Sequence, residues 1–145
     1  RVMDLQHPEN KMSKSDDGEQ GTILLLDDPA AIEKKFKRAV TDSETEVRFD
    51  PASKPGVSNL LSILGAATGQ TPAAAAESIE RYGDLKAATA DAVITLLRPV
   101  QDRYRELVAD PAETSRLLAL GADKARSVAS ATLDRVRTNL GLLSR

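Results

Sequence analysis

The sequence predicts a mainly α-helical chain, a helical bundle preceded by one last strand and a lysine-bearing loop. Three observations lead there. Alanine and leucine carry most of the apolar content while aromatics make up only 3%, a balance that favours helices over a β-sandwich. From Val57 onward apolar residues recur at helical spacing. Three stretches begin at an Asp or Thr followed directly by proline, at Asp28-Pro29, Thr71-Pro72 and Asp110-Pro111, the pattern of a capped helix start. A length of 145 residues suits one ordinary domain or a piece of a larger protein.

The first element is Arg1-Val2-Met3-Asp4-Leu5, whose alternation reads as a strand. A strand's backbone groups need partners, so the expectation is a fragment cut just before its last sheet strand. The loop "ENKMSKSDDGEQGT" (Glu9 to Thr22) follows. Thr22 to Leu26 is a short apolar run, expected to be extended. Asp27-Asp28-Pro29 opens a helix with Ile32, Phe36 and Val40 on one face. Its basic residues near the end suit the helix dipole. Thr41 to Gly56 is polar and proline-containing, a connector.

Val57, Leu60, Leu61 and Leu64 mark the next helix, ending between Gly65 and Gly69. Thr71-Pro72 opens another, with Gly83 as its expected end. A longer helix follows, with Leu85, Val93, Leu96, Leu97, Val100, Tyr104 and Leu107 on its apolar side and Pro99 expected to kink or break it. Phe36 and Tyr104 read as core residues. Asp110-Pro111-Ala112-Glu113 resembles a capping box and starts a short helix expected to stop at Gly121. The last helix spans about 122 to 140, with Ala125, Val128, Ala129, Thr132, Val136 and Leu140 inward and Gly141 as terminator.

Composition removes several functions. With no cysteine there is no disulfide framework and no thiolate chemistry. No apolar run is long enough to span a bilayer, and the expected setting is cytoplasmic. The single histidine, His7, reads as a loop residue, since a metal site needs several convergent ligands. A net charge of −2 alone argues against a nucleic-acid binder, but its distribution is uneven. Lys34, Lys35, Lys37 and Arg38 face one acid within residues 31–40, and basic residues including Arg135 and Arg137 outnumber acids after residue 114. Such patches steer a polyanion or simply solvate a helix face.

Within the loop, Lys11 and Lys14 lie three residues apart among small, flexible neighbours. Ammonium groups suit phosphate oxygens. Two of them on a loop close over a polyphosphate as charge develops, while Asp16, Asp17 and Glu19 oppose permanent binding. The alternative is a solvated surface turn.

Lys11-Met12-Ser13-Lys14-Ser15 matches, without alteration, the KMSKS signature of class I aminoacyl-tRNA synthetases. Over essentially its whole length the chain resembles the bacterial tryptophanyl-tRNA synthetases of that class. The resemblance rests on "IEKKFKRAVTDSE" (Ile32 to Glu44), "KPGVSNLLSI" (Lys54 to Ile63), "LLRPVQDRY" (Leu96 to Tyr104) and "GADKARSVASATLDRV" (Gly121 to Val136), in order and spacing. It implies ATP-dependent activation of tryptophan to the adenylate, then transfer to tRNA(Trp), with Mg2+ accompanying ATP. Residues 1–26 would end a Rossmann-like nucleotide-binding domain. Residues 27–145 would form a helical anticodon-binding domain whose final helix packs back on the catalytic part. Lys11 and Lys14 would stabilise the pyrophosphate leaving group, Lys14 most strongly in the transition state. Met12 would lie against the adenine side, largely through its backbone, and Ser13 and Ser15 would bind phosphates or hold the loop's shape. Lys34, Lys35, Arg135 and Arg137 become tRNA phosphate contacts or remain plain surface charge.

The resemblance also implies partners: tryptophan, ATP, tRNA(Trp) and a second subunit, joined through a catalytic domain not present in this chain. The HIGH signature of the class is absent from the sequence, so the chain alone is expected to be inactive. The related tyrosine enzyme, and a stand-alone helical RNA-binding module with a vestigial loop, are the alternatives.

Overall fold

A computed structural model describes residues 1–14 and 18–142. The fold is helical, as expected: five helices in the order α1 (Pro29–Lys37), α2 (Pro55–Thr68), α3 (Pro72–Glu77), α4 (Tyr82–Ala109) and α5 (Pro111–Asn139), with no strand among the described residues. The chain divides into two compact units, residues 1–101 and 102–145.

Helix starts follow local chemistry. The Asp28 carboxylate accepts from Ala31 N at 2.7 Å and Pro29 begins α1. Thr71 Oγ1 accepts from Ala74 N at 3.2 Å ahead of Pro72. Asp110 Oδ1 accepts from Glu113 N at 3.0 Å ahead of Pro111. These bonds satisfy donors that a helix's first turn leaves without partners. The other half of the capping box does not form: the Asp110 N–H donates to Glu106 O at 3.1 Å instead, and the Glu113 carboxylate pairs with Arg116 at 2.6 and 2.8 Å. α2 ends on Gly69, whose φ of 75° lies in the left-handed region that glycine tolerates. Gly141, at φ 72°, follows the C-terminal cap of α5.

The core of the first unit joins Leu5 to Ile32 and Phe36 of α1, Val57, Leu60 and Leu61 of α2, Ala75 of α3, and Leu85 and Val93 of α4. Phe36 is completely buried, as expected.

Several expectations are corrected. Residues 1–5 form no strand; Met3 makes a single antiparallel bridge with Lys11. The run Thr22 to Leu26 forms no strand, and its end turns back. Asp27 folds back, its N–H donating to Leu24 O at 3.1 Å and its carboxylate accepting from Leu24 N at 2.9 Å. The Gln101 amide fixes this turn by donating to Leu25 O and Asp27 O at 2.9 and 3.0 Å. Val40 is 43% exposed, since α1 has ended before it. Gly83 does not close α3, which stops at Glu77; it sits in the first turn of α4. α4 runs through Pro99 without a break: proline removes one donor from the ladder, and long helical stretches on both sides outlast it. On its expected apolar side Leu85 and Val93 are buried, but Leu96, Val100 and Tyr104 are exposed.

In the second unit α5 is one continuous helix of 29 residues that passes Gly121. None of its residues is buried, including Ala125, Val128, Ala129, Thr132 and Val136, all expected to face inward; Leu140, at its C-cap, is exposed too. Thr114 Oγ1 ties its start to the end of α4, donating to Leu107 O at 2.7 Å. Among the described residues no helix is long and apolar enough to cross a membrane.

Candidate functional site

The lysine loop starts from the Met3–Lys11 bridge. Asp4 N donates to Asn10 O at 2.9 Å and Met12 N to Val2 O at 3.2 Å. The turn between the two legs is held by Asp4, whose buried carboxylate accepts from Gln6 N at 2.7 Å and His7 N at 2.9 Å. Gly21 is required beside it: a Cβ there would lie 2.0 Å from Asp4 Oδ2. Leu5 N donates to Gly21 O at 2.9 Å, so the far end of the loop returns to the same place. A polar hollow of about 300 Å³ opens there, bounded by Asp4, Gln6, Asn10, Gly18 and Gln20 among others.

On this base the expected site residues divide by exposure. Lys11 and Lys14 are exposed, while Met12 is half-buried and packs against the core. The Ser13 carbonyl accepts from Thr22 Oγ1 at 3.1 Å. Ser15, Asp16 and Asp17 lie outside the described residues. The geometry thus fixes the backbone around Met12 and leaves two ammonium groups facing solvent, an arrangement able to meet an anion from one side. Among the described residues no three His, Cys, Asp or Glu side chains converge as metal ligands. His7 is exposed, 3.6 Å from the Glu9 carboxylate.

The basic residues of α1 do not form one patch. Lys34, Lys37 and Arg38 are exposed. Lys35 is buried, its Nζ donating to Asp27 Oδ2 at 2.6 Å and to Thr22 O at 2.8 Å. With its side chain buried and two of its three donors bonded internally, Lys35 is not the exposed cation that was expected. On α5 Arg135 is exposed and close to Thr132 Oγ1 (3.4 Å), and Arg137 lies 3.6 Å from the Asp134 carboxylate. The α1 and α5 cations fall in different units.

Two features went unread in the sequence. Asn59 of α2, 5% exposed, bonds Met3 on both sides: its Oδ1 accepts from Met3 N at 2.9 Å and its Nδ2 donates to Met3 O at 2.8 Å. An amide inside the apolar stretch "GVSNLLSI" was the available signal, because a buried amide needs partners. The second is a cluster around the buried Lys54. Its Nζ donates to Glu44 at 2.7 Å, Tyr82 Oη at 2.8 Å and Asp42 Oδ1 at 3.0 Å. Burial works against the Lys54 charge, but the bonds to Glu44, Tyr82 and Asp42 prevail and raise its pKa above the ordinary value. Burial likewise pushes the Asp42 carboxyl upward, yet the bonds from Tyr82, Lys54 and the Glu44 amide outweigh it and hold the group below its ordinary value. This cluster ties the connector to the starts of α2 and α4.

Comparison with known proteins gives consistent matches. The family model described as tRNA synthetases class I (W and Y) matches residues 1–98. The chain is 48% identical over 143 residues to Tryptophan--tRNA ligase 1 of Streptomyces coelicolor, covering 99% of this chain and 43% of that protein. It is 48% identical over 145 residues to the tryptophan--tRNA ligase of Mycobacterium leprae, covering 99% and 42%. The crystal structure of tryptophanyl-tRNA synthetase from Mycoplasma pneumoniae superposes with a TM-score of 0.85 at 31% identity, over 99% of this chain and 44% of that one. The chain therefore spans less than half the length of the relatives it matches.

Proposed function

We propose, from the premise that this chain belongs to the class I tRNA synthetases of the W and Y group, that it serves in a tryptophan–tRNA ligase. In that enzyme it contributes the lysine loop and helices that carry the tRNA. The observation that carries this reading is an unaltered Lys11-to-Ser15 signature whose two lysines stand exposed on an anchored backbone. The names of the relatives favour tryptophan over tyrosine. Residues 1–26 are read as the end of the nucleotide-binding domain and the helices as the tRNA-binding part. The tryptophan pocket, the HIGH signature and a dimer contact are assigned to residues outside this chain, and the setting to the cytoplasm.

In the activation step a carboxylate oxygen of tryptophan bonds to the α-phosphorus of ATP. The bond from that phosphorus to the oxygen bridging the β-phosphate breaks, and negative charge moves onto the departing pyrophosphate. Lys11 and Lys14 meet that charge, Lys14 chiefly in the transition state, so their contribution is positioning and electrostatic stabilisation. Met12 lies toward the adenine side, and Ser13 and Ser15 bond phosphate oxygens or keep the loop's shape. Magnesium would arrive with the ATP phosphates; no residue of this chain is assigned to it, and no step here depends on it. Lys34, Arg135 and Arg137 are read as contacts to the tRNA backbone.

The test is ATP–pyrophosphate exchange by the full-length enzyme with tryptophan or tyrosine as the amino acid. Exchange that depends on tryptophan supports the assignment. Exchange that depends on tyrosine, or on neither, overturns it.

A further inference from the structure

Met3 and Lys11 face each other as the non-hydrogen-bonded pair of their bridge, since the flanking bonds run between Asp4 and Asn10 and between Met12 and Val2. In such a pair each residue's own N–H and C=O point away from the partner. For Met3 this would leave an open edge of two backbone groups in a half-buried place, which is costly unless they are paired. The Asn59 side chain pairs both, one as acceptor and one as donor. A single amide thus replaces a neighbouring strand and fixes the leg opposite Lys11.

The following residues are gripped from the other flank. Thr22 Oγ1 donates to Ser13 O, and the Thr22 carbonyl is itself held by Lys35 Nζ, which Asp27 fixes in turn. Neither Asn59 nor Thr22 is exposed: they retain 5% and 7% of their surface. The hydrogen bonds that their side chains make go to the backbone at Met3 and Ser13. What they share is the backbone from which both signature lysines project.

We propose that Asn59 and Thr22 are positioning residues for the Lys11–Lys14 segment, setting where the two ammonium groups sit when pyrophosphate leaves. The inference rests on the function proposed above. Small misplacements of a stabilising group are felt strongly in the rate.

The experiment uses the full-length enzyme and tryptophan-dependent ATP–pyrophosphate exchange, with melting temperature measured in parallel and Lys14→Ala as control. Thr22→Val keeps the side-chain shape and removes the hydroxyl; Thr22→Ser keeps the hydroxyl. Asn59→Asp keeps the acceptor for Met3 N and removes the donor to Met3 O. Thr22→Val and Asn59→Asp should each lower kcat about tenfold per folded enzyme, the worth of one hydrogen bond expressed in the transition state. The KM for tryptophan should stay unchanged, and Thr22→Ser should recover wild-type kcat. If Asn59→Asp does not fold, the Thr22 pair decides. Thr22→Val at wild-type kcat, or a loss that Thr22→Ser shares, overturns the proposal. A silent Thr22→Val beside an impaired Lys14→Ala sinks the positioning role alone. A wild-type enzyme without tryptophan-dependent exchange, or a fully active Lys14→Ala, removes the underlying function and the proposal with it.

Discussion

Replacing Lys35 with methionine separates a structural lysine from a tRNA-facing one. The Lys35 ammonium donates at 2.6 Å to Asp27 and at 2.8 Å to the Thr22 carbonyl, and the two side chains keep only 10% and 14% of their surface. Methionine fills the stem's volume but leaves Asp27 charged and the carbonyl without its donor. Deleting one partner of a fully buried pair costs about 3–5 kcal/mol. Here Asp27 retains the Leu24 N–H at 2.9 Å, and water reaches the rim of the pair. The expected loss is therefore about 2–3 kcal/mol, well above the roughly 1 kcal/mol ceiling of an exposed ion pair. Urea unfolding of the 145-residue chain, followed by circular dichroism, measures it. Lys34→Met, at an exposed position on the same helix, serves as the control and should fall within about 0.5 kcal/mol of wild type. In the full-length enzyme, tRNA affinity per folded molecule should be unchanged by Lys35→Met. Equal midpoints for Lys35→Met and Lys34→Met, or a fall in tRNA affinity at unchanged stability, would refute the buried-pair reasoning.

Two further predictions concern charge. The Asp42 carboxyl lies below its ordinary value of 3.8, so its stabilising contribution is complete above that value and is lost as pH falls through the depressed folded one. Melting temperature measured on an acid series should therefore drop below about pH 4, and Asp42→Asn should flatten that part of the drop; an unchanged profile in the variant would remove Asp42 from the acid transition. Charge reversal at exposed Lys34 or Arg135 should weaken binding of every tRNA alike and reduce the salt slope by about one unit for each phosphate that the variant no longer neutralises. Filter binding across a salt series reads this, and a change in which tRNA is preferred would show base recognition instead of backbone contact.

Local chemistry was legible in the sequence, and distant contacts were not. Asp28, Thr71 and Asp110 each announce a helix because cap, proline and first turn lie within four residues. The Lys11-to-Ser15 signature was readable for the same reason. Gly121 misled because glycine inside a helix costs only about 1 kcal/mol, which a 29-residue helix absorbs. The run Thr22 to Leu26 read as extended from its apolar character, but Asp27 and the Gln101 amide fold its last residues into a turn. Helical periodicity put Ala125, Val128, Ala129, Thr132 and Val136 on an inward face, but periodicity does not say what covers a face, and none of these residues of α5 is buried. Lys35 looked like its neighbours Lys34 and Lys37 until the fold placed Asp27 and Thr22 against it. The Asn59–Met3 pairing spans 56 residues of chain, and no local pattern encodes it.

The most direct test of the central claim is the single-turnover rate of tryptophanyl-adenylate formation, followed by rapid quench in the full-length enzyme and its Lys14→Ala variant. If the loop's lysine stabilises departing pyrophosphate, the variant should form adenylate roughly ten- to a thousandfold more slowly, with ATP affinity in the ground state changed far less. An unchanged rate, or a loss carried entirely by weaker ATP binding, would contradict the role assigned to Lys14.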